Sequence, residues 1–231
     1  MRYDSKGLQG TMDRKIVVVD NPLIKSYLTI LRNTRTQPPF FREIMEKIGF
    51  YIGFEIAKLL DWKTVQVITP LGRAKGLTIS REVIAVGILG ASLPLLYGFV
   101  KSMPWAGIGL IAARRIEDHN KNYLDVEIYY TRLPRDLHNK AVVLLDPMLA
   151  TGLTLKKSVE LLSRLGASDI VVASVIASRE GLEKLSKEKN IKAIIVCSVD
   201  EKLDKNYFIV PGLGDAGDRA LSGALSLLDI Q

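Results

Sequence analysis

The sequence predicts an α/β fold, a largely parallel sheet flanked by helices with a small hood or β-arm, and three observations carry the prediction. Seven runs rich in β-branched residues punctuate the chain. Helical patterns with one apolar stripe stand between them. The runs lack the polar alternation of half-exposed strands, so they belong to a sheet covered on both faces.

The runs span residues 16–19, 65–69, 83–89, 107–112, 141–145, 170–176 and 191–197. Of the helices, residues 42–60 place Ile44, Ile48, Ile52, Ile56 and Leu59 on one stripe, and residues 155–165 repeat the pattern before Gly166 ends it. Residues 83–100 contain no charge and approach the length of a short bilayer span. Gly87, Gly90, Ser92 and Pro94 would break such a helix, so a strand, a loop and a helix are expected instead. Residues 114–134 interrupt the rhythm: they are polar and include the alternating run Asp125-Val126-Glu127-Ile128-Tyr129-Tyr130. We expect an excursion from the sheet, a strand pair or hood lying over its C-terminal edge, where open α/β sheets bind ligands.

The 231 residues, 48% apolar and 25% charged, fit one domain spanning 1–231, without a 20 to 50 residue repeat. The single cysteine, Cys197, sits in an apolar run and reads as a buried small hydrophobe in a cytoplasmic protein. Residues 1–15 are polar and lack the pattern of a secretion signal. His119 and His138 have no partners at metal-ligand spacing and are expected at the surface. The net charge of +7 favours anionic partners. Lys and Arg are scattered, and no zinc spacing, RNP-type strand or helix-turn-helix is present, which points to phosphorylated metabolites and away from nucleic acid.

The strongest local signal is the apolar strand 142–145 running into Asp146-Pro147-Met148-Leu149-Ala150-Thr151-Gly152-Leu153-Thr154 and then a helix. The first N–H groups of a helix lack intrahelical partners, and the helix dipole adds partial positive charge there, which suits a phosphate. Gly152 allows close backbone approach and Thr151 and Thr154 offer hydroxyls, while Asp146 is placed to accept from two sugar hydroxyls. Residue types alone are equally compatible with an ordinary strand-to-helix turn. The Walker A ending and the dinucleotide glycine spacing are both absent.

A second signal is residues 207–219, where Pro211, Gly212, Gly214 and Gly217 exclude regular structure. Such a loop exposes N–H and C=O groups that match the two carbonyls and the N3 donor of uracil. A simple surface turn leaves the flanking Asp215 and Asp218 without a reason.

The run Asp146-Pro147-Met148-Leu149-Ala150-Thr151 resembles the phosphoribosyl-diphosphate loop of type I phosphoribosyltransferases, in the Asp-Pro-Met-x-Ala-Thr form of uracil phosphoribosyltransferases. Residues 207–219 are similar to the uracil loop of that family, and residues 18–32 and Thr69-Pro70-Leu71 extend the likeness to nearly the whole chain from about Met12. Residues 1–11 are then an extension. The resemblance implies transfer of a 5-phosphoribosyl group from phosphoribosyl diphosphate to uracil, giving UMP and diphosphate, with Mg²⁺ on the diphosphate. It implies that Arg115, Asp146, Pro147, Met148, Leu149, Ala150, Thr151, Gly152, Leu153, Thr154 and Asp215 bind the donor. Ile209, Gly214, Asp215 and Ala216 would meet uracil, and Asp146 and Asp215 would be catalytic. A homodimer or homotetramer is also implied.

The sequence departs from the family at Ile88-Leu89-Gly90-Ala91-Ser92, where the usual loop carries an arginine in place of Gly90, and at Leu153, which replaces a common glycine. Arg73, Lys75, Arg114 and Arg115 are the candidates to compensate, Arg115 matching the family's second diphosphate-binding arginine. The resemblance also implies a GTP or CTP effector, since archaeal members respond to both and a Lys/Arg pair on an early helix contributes to their GTP site; Glu43 and Lys47 stand there in this chain, and a carboxylate repels a triphosphate. Two alternatives stay open: a nucleotide-sensing paralogue with little or no turnover, and transfer to another base.

Overall fold

A computed structural model describes residues 15–118 and 123–222. In chain order the elements are β1 (Lys15–Val18), α1 (Pro22–Arg32), α2 (Pro38–Ala57), β2 (Trp62–Thr69), β3 (Gly72–Ile79), β4 (Val83–Leu89), α3 (Leu93–Ser102), β5 (Gly107–Asp118), β6 (Tyr123–Arg132) and β7 (Ala141–Leu145). They continue with β8 (Met148–Leu149), α4 (Leu153–Arg164), β9 (Ile170–Ser178), α5 (Arg179–Leu185), β10 (Ile191–Asp200), β11 (Lys202–Leu203), β12 (Ile209–Val210) and α6 (Ala216–Leu221). The main sheet runs β1-β10-β9-β7-β4-β5-β6, with the short β8 added beside β9. Every pairing in it is parallel except β5 with β6.

Both faces of this sheet are covered, and the strands show why. Val83, Ala85, Val143 and Leu145 face one core with α1, α2, α3 and α6, while Ile84, Val86, Val142 and Leu144 face the other with α4 and α5. An apolar residue at every position is what a doubly covered strand requires. Ile44, Ile48, Ile52 and Ile56 on α2 are all buried, each contributing about 1.5–3 kcal/mol relative to exposure. Helices α2 and α3 cross so closely that a Cβ at Gly98 would lie 1.9 Å from the Glu46 carbonyl oxygen, and one at Gly49 would lie 2.2 Å from that of Leu95. That approach seats α3 on α2, and α3 follows directly from the turn after β4.

The uncharged stretch 83–100 resolves into β4, a turn and α3, as expected. No helix among the described residues is long and apolar enough to cross a membrane. Cys197 is buried, and burial pushes its thiol up to about 12, so it stays protonated and unreactive at neutral pH. His138 is exposed beside Asp136, at 2.6 Å. His119 and residues 1–14 lie outside the described residues.

One expectation is corrected. Residues 65–69 do not join the main sheet; they fall within β2, which pairs only with β3 in a separate antiparallel hairpin turned at Pro70 and Leu71. Lys63, Gln66, Arg73 and Lys75 leave both faces of the hairpin too polar to bury, and Ile68, Leu71 and Leu77 stay exposed. Residues 114–134 leave the body of the sheet as a strand pair: β4 accompanies β5 only as far as Ala112, the register shifts there, and residues 113–118 run on past the end of β4 paired with β6 at the edge. Lys157 on α4 holds that edge, donating to the Val126 carbonyl at 2.7 Å and pairing with Asp125 at 2.5 Å.

Candidate active site

The sheet places the site by its topology. From β4 the chain steps outward to β5 and β6, then returns to lay β7 on the other side of β4 and builds on through β9 to β10, which lies beside the N-terminal strand β1. The strand order therefore reverses between β4 and β7, and a crevice opens beyond their C-terminal ends. A cleft of about 470 Å³ occupies this position, lined by residues 88–91 at the end of β4 and the turn that follows, by Asp146 after β7, and by Asp215, Gly217, Asp218, Leu221 and Ser222 at α6. Asp146 and Asp215, predicted from motifs about seventy positions apart, thus share one cavity.

The loop from Asp146 to Thr154 has the geometry of an anion cradle. Asp146 accepts from the Met148 N–H at 3.3 Å, and its own N–H is tied to the Ala173 carbonyl. The Pro147 carbonyl accepts from the N–H groups of Val175 and Ile176, and Leu149 pairs with Ala177 through β8. Gly152 stands at the N-cap of α4 with φ of 76°, which an L side chain resists, and a Cβ there would meet the Gly181 carbonyl at 3.2 Å. Thr151 is buried and its hydroxyl faces the Leu153 N–H at 3.4 Å. Leu153 and Thr154 open α4 half-buried.

Two residues beneath the cradle escaped the sequence reasoning. The Ser178 hydroxyl donates to the Ala150 carbonyl at 2.6 Å and accepts from the Gly181 N–H at 2.9 Å, capping α5 while fixing the loop. Gly181 leaves no room for a methyl, since a Cβ would lie 2.2 Å from the Ala150 oxygen. A serine preceding a short charged helix is a legible capping signal. Its second bond, to a loop 28 positions earlier, is not.

The base-side loop turns through a cis Val210–Pro211 bond, with φ of 58° at Gly212 and 78° at Gly214. Asp215 caps α6 by accepting from the Asp218 N–H at 2.8 Å and remains exposed. Ile209 and Ala216 are buried and Gly214 is exposed on the loop; none of the three is on the cleft lining. Arg219 ties the loop to α1, donating to the Leu213 carbonyl at 2.6 Å, to that of Asn33 at 2.7 Å and to that of Leu31, with its guanidinium 4.5 Å from the centre of the Phe41 ring.

Asp200 at the end of β10 is buried and accepts from both terminal nitrogens of Arg32, from Gly212 N–H and from Ser198. Burial alone would raise its carboxyl, but the Arg32 and Gly212 hydrogen bonds outweigh that and hold it below the usual carboxylate range.

The wall of the cleft formed by Ile88, Leu89, Gly90, Ala91 and Leu221 is apolar. Among the described residues, the cleft lining holds three carboxylates and no Lys or Arg. Leu221 stands in front of Gly90, where an added Cβ would come within 2.7 Å of it. Arg73 and Lys75 lie on the β2–β3 hairpin, and Arg114 is exposed and paired with Glu127 at 2.6 Å. Arg115 belongs to β5 opposite Val126; its side chain lies outside the described residues. No group of three or more His, Cys, Asp or Glu among the described residues could hold a metal by itself. The carboxylates at hand are hard oxygen donors that suit Mg²⁺ when a ligand phosphate supplies the rest of its shell.

Comparison with known proteins agrees with this arrangement. The sequence model of the uracil phosphoribosyltransferase family matches residues 18–222. A uracil phosphoribosyltransferase from Aeropyrum pernix is 47% identical over 208 residues, 90% of this chain and 96% of its own length. One from Sulfolobus acidocaldarius is 38% identical over 212 residues, covering 89% and 98%. The structure of the AQ2163 protein from Aquifex aeolicus superposes with a TM-score of 0.82 at 34% identity, over 89% of this chain and 97% of that one. A Staphylococcus aureus hypoxanthine phosphoribosyltransferase shares the fold at 17% identity and a TM-score of 0.50, over 79% and 91%.

Proposed function

This chain belongs to the uracil phosphoribosyltransferase family, and on that footing we propose that it transfers the 5-phosphoribosyl group of phosphoribosyl diphosphate to N1 of uracil, giving UMP and diphosphate. The observation that carries the reading is the single cleft shared by Asp146, from the phosphate loop, and Asp215, from the base loop.

In this mechanism residues 146–154 hold the 5-phosphate with backbone N–H groups and the Thr151 and Thr154 hydroxyls, while Asp146 accepts from the ribose hydroxyls. The ribose C1–O bond to diphosphate breaks as the bond from C1 to N1 of uracil forms, and positive charge developing on the ribose is favoured by the two carboxylates on the wall. Asp215 is the carboxylate placed at the junction of the base loop and α6, suited to take the N1 proton or to orient the water that does. Bound to the donor, Mg²⁺ would neutralise charge on the leaving diphosphate. Arg115 is the residue that the family resemblance assigns to the same group. Uracil would meet Ile209, Gly214 and Ala216 through backbone groups, since two of these side chains are buried. Purified protein incubated with uracil, donor and Mg²⁺ should form UMP, measured by chromatography; no UMP would overturn the reading.

One observation favours a second reading, a nucleotide-binding paralogue with weak turnover: the described lining lacks a cation beside Gly90. Gly90→Arg should restore one charge-assisted contact and lower the donor KM about tenfold or more. Leu221 must move aside, which its exposure allows. An unchanged donor KM, in this variant and in one that also carries Leu221→Ala, would show that residue 90 does not face the diphosphate.

The reading includes a cytoplasmic homodimer or homotetramer. On α2, Glu43 and Lys47 form an ion pair at 2.7 Å and so largely neutralise each other, which disfavours capture of a GTP triphosphate there.

A further inference from the structure

The base loop is held by charge as well as by its own turns. Gly212 has both backbone groups engaged: its N–H donates to Asp200 Oδ2 at 2.8 Å, and its carbonyl accepts from Arg32 Nη1 at 2.7 Å. The same Arg32 grips both Asp200 oxygens at 2.7 Å, and Ser198 completes the set with bonds of 3.1 Å to each partner. Arg32 ends α1 and Asp200 ends β10, so three distant segments meet at one residue of the loop. We propose that Arg32 and Asp200 are positioning residues for base recognition, clamping the Gly212 peptide groups so that the loop meets uracil in one fixed geometry.

Energetics favours this over a merely structural role. A buried ion pair contributes little net stability, because desolvation offsets most of the attraction, and apolar replacement of both partners is often neutral. What the pair supplies here is direction. Gly212 adopts φ of 58° and a Cβ on it would lie 2.0 Å from the Ile209 carbonyl, so residue 212 has no side chain to pack, and its peptide groups are fixed by their hydrogen bonds. A loop that reads a flat base through backbone groups has to hold them within about 0.5 Å. The guanidinium fork, planar and bidentate, is suited to that; a lysine is not.

The inference rests on residues 207–219 being the base loop, so its test has two arms. In kinetics, Arg32→Lys, Asp200→Asn and the double variant Arg32→Met with Asp200→Leu should raise the uracil KM about tenfold or more, with the donor KM within about twofold of wild type. The double variant should fold cooperatively with a moderately lower melting temperature, because the Gly212 N–H and carbonyl lose their partners; the split between the two KM values is what separates positioning from folding. Unchanged uracil KM in the folded double variant, or equal rises in both KM values, would overturn the clamp. In the second arm, amide hydrogen exchange at Gly212 needs no turnover: it should be slow in wild type and faster in the folded double variant. If wild type forms no UMP but Gly212 exchange still depends on the pair, the clamp stands and the activity is what fails; fast exchange in wild type overturns the clamp itself.

Discussion

Asp146→Ala is expected to lower kcat/KM for phosphoribosyl diphosphate by about a hundredfold or more, with little change in melting temperature. A carboxylate that accepts from two ribose hydroxyls makes two charge-assisted bonds, worth about 1.5–3 kcal/mol each, or roughly two to four orders of magnitude together. Within the fold its carboxylate accepts from the Met148 N–H at 3.3 Å, so a melting temperature near that of wild type would place the loss in the ribose contact and not in the loop. Asp146→Asn keeps the shape and one acceptor and should fall between. Initial rates at varied donor, with thermal unfolding in parallel, check this; activity within about threefold of wild type in the alanine variant would remove Asp146 from the ribose site.

Gly181→Ala should be comparably damaging although Gly181 is not on the cleft lining. Its Cβ would lie 2.2 Å from the Ala150 oxygen and 2.9 Å from that of Leu149, both backbone atoms of the cradle, so the loop must shift. A displacement of about 1 Å at a positioning element costs about a hundredfold in rate, and forcing a methyl into packed structure costs about 1–3 kcal/mol of stability. The loss should appear in donor KM and kcat with the uracil KM less affected, because the base loop is anchored elsewhere, by Arg32, Asp200 and Arg219. Ser178→Ala removes two hydrogen bonds without adding volume and should cost about tenfold. Wild-type kinetics and melting temperature for Gly181→Ala would contradict this account of how the cradle is seated.

What was legible in the sequence follows a physical divide. Central strands such as β4 and β7 are apolar at every position because both faces are covered, and local composition records that directly. The segment 65–69 shows the limit: its β-branched residues marked a strand correctly, yet its partner is the polar β3, whose Arg73, Lys75 and two glycines carry no strand signal. Residues 114–134 were more legible, because alternation and polarity mark a strand pair that runs on past the end of β4 with one face exposed.

The sequence by itself determined the sheet class, the strand, turn and helix around 146–154 and the break in regular structure at 211–214, because glycines, proline, capping residues and strand composition act over a few neighbouring positions, whereas residues 209–210 and 216–219, within the span read as irregular, fall in β12 and α6. Only the tertiary structure decided that both loops open onto one cleft, where the strand order reverses between β4 and β7, and that Leu221 closes on Gly90. It also decided that Ser178 and Gly181 seat one loop and that Arg32 and Asp200 hold the other. Arg32 and Asp200 stand 168 positions apart and meet only because β10 runs parallel to β1, the strand that leads into α1, which leaves their ends side by side.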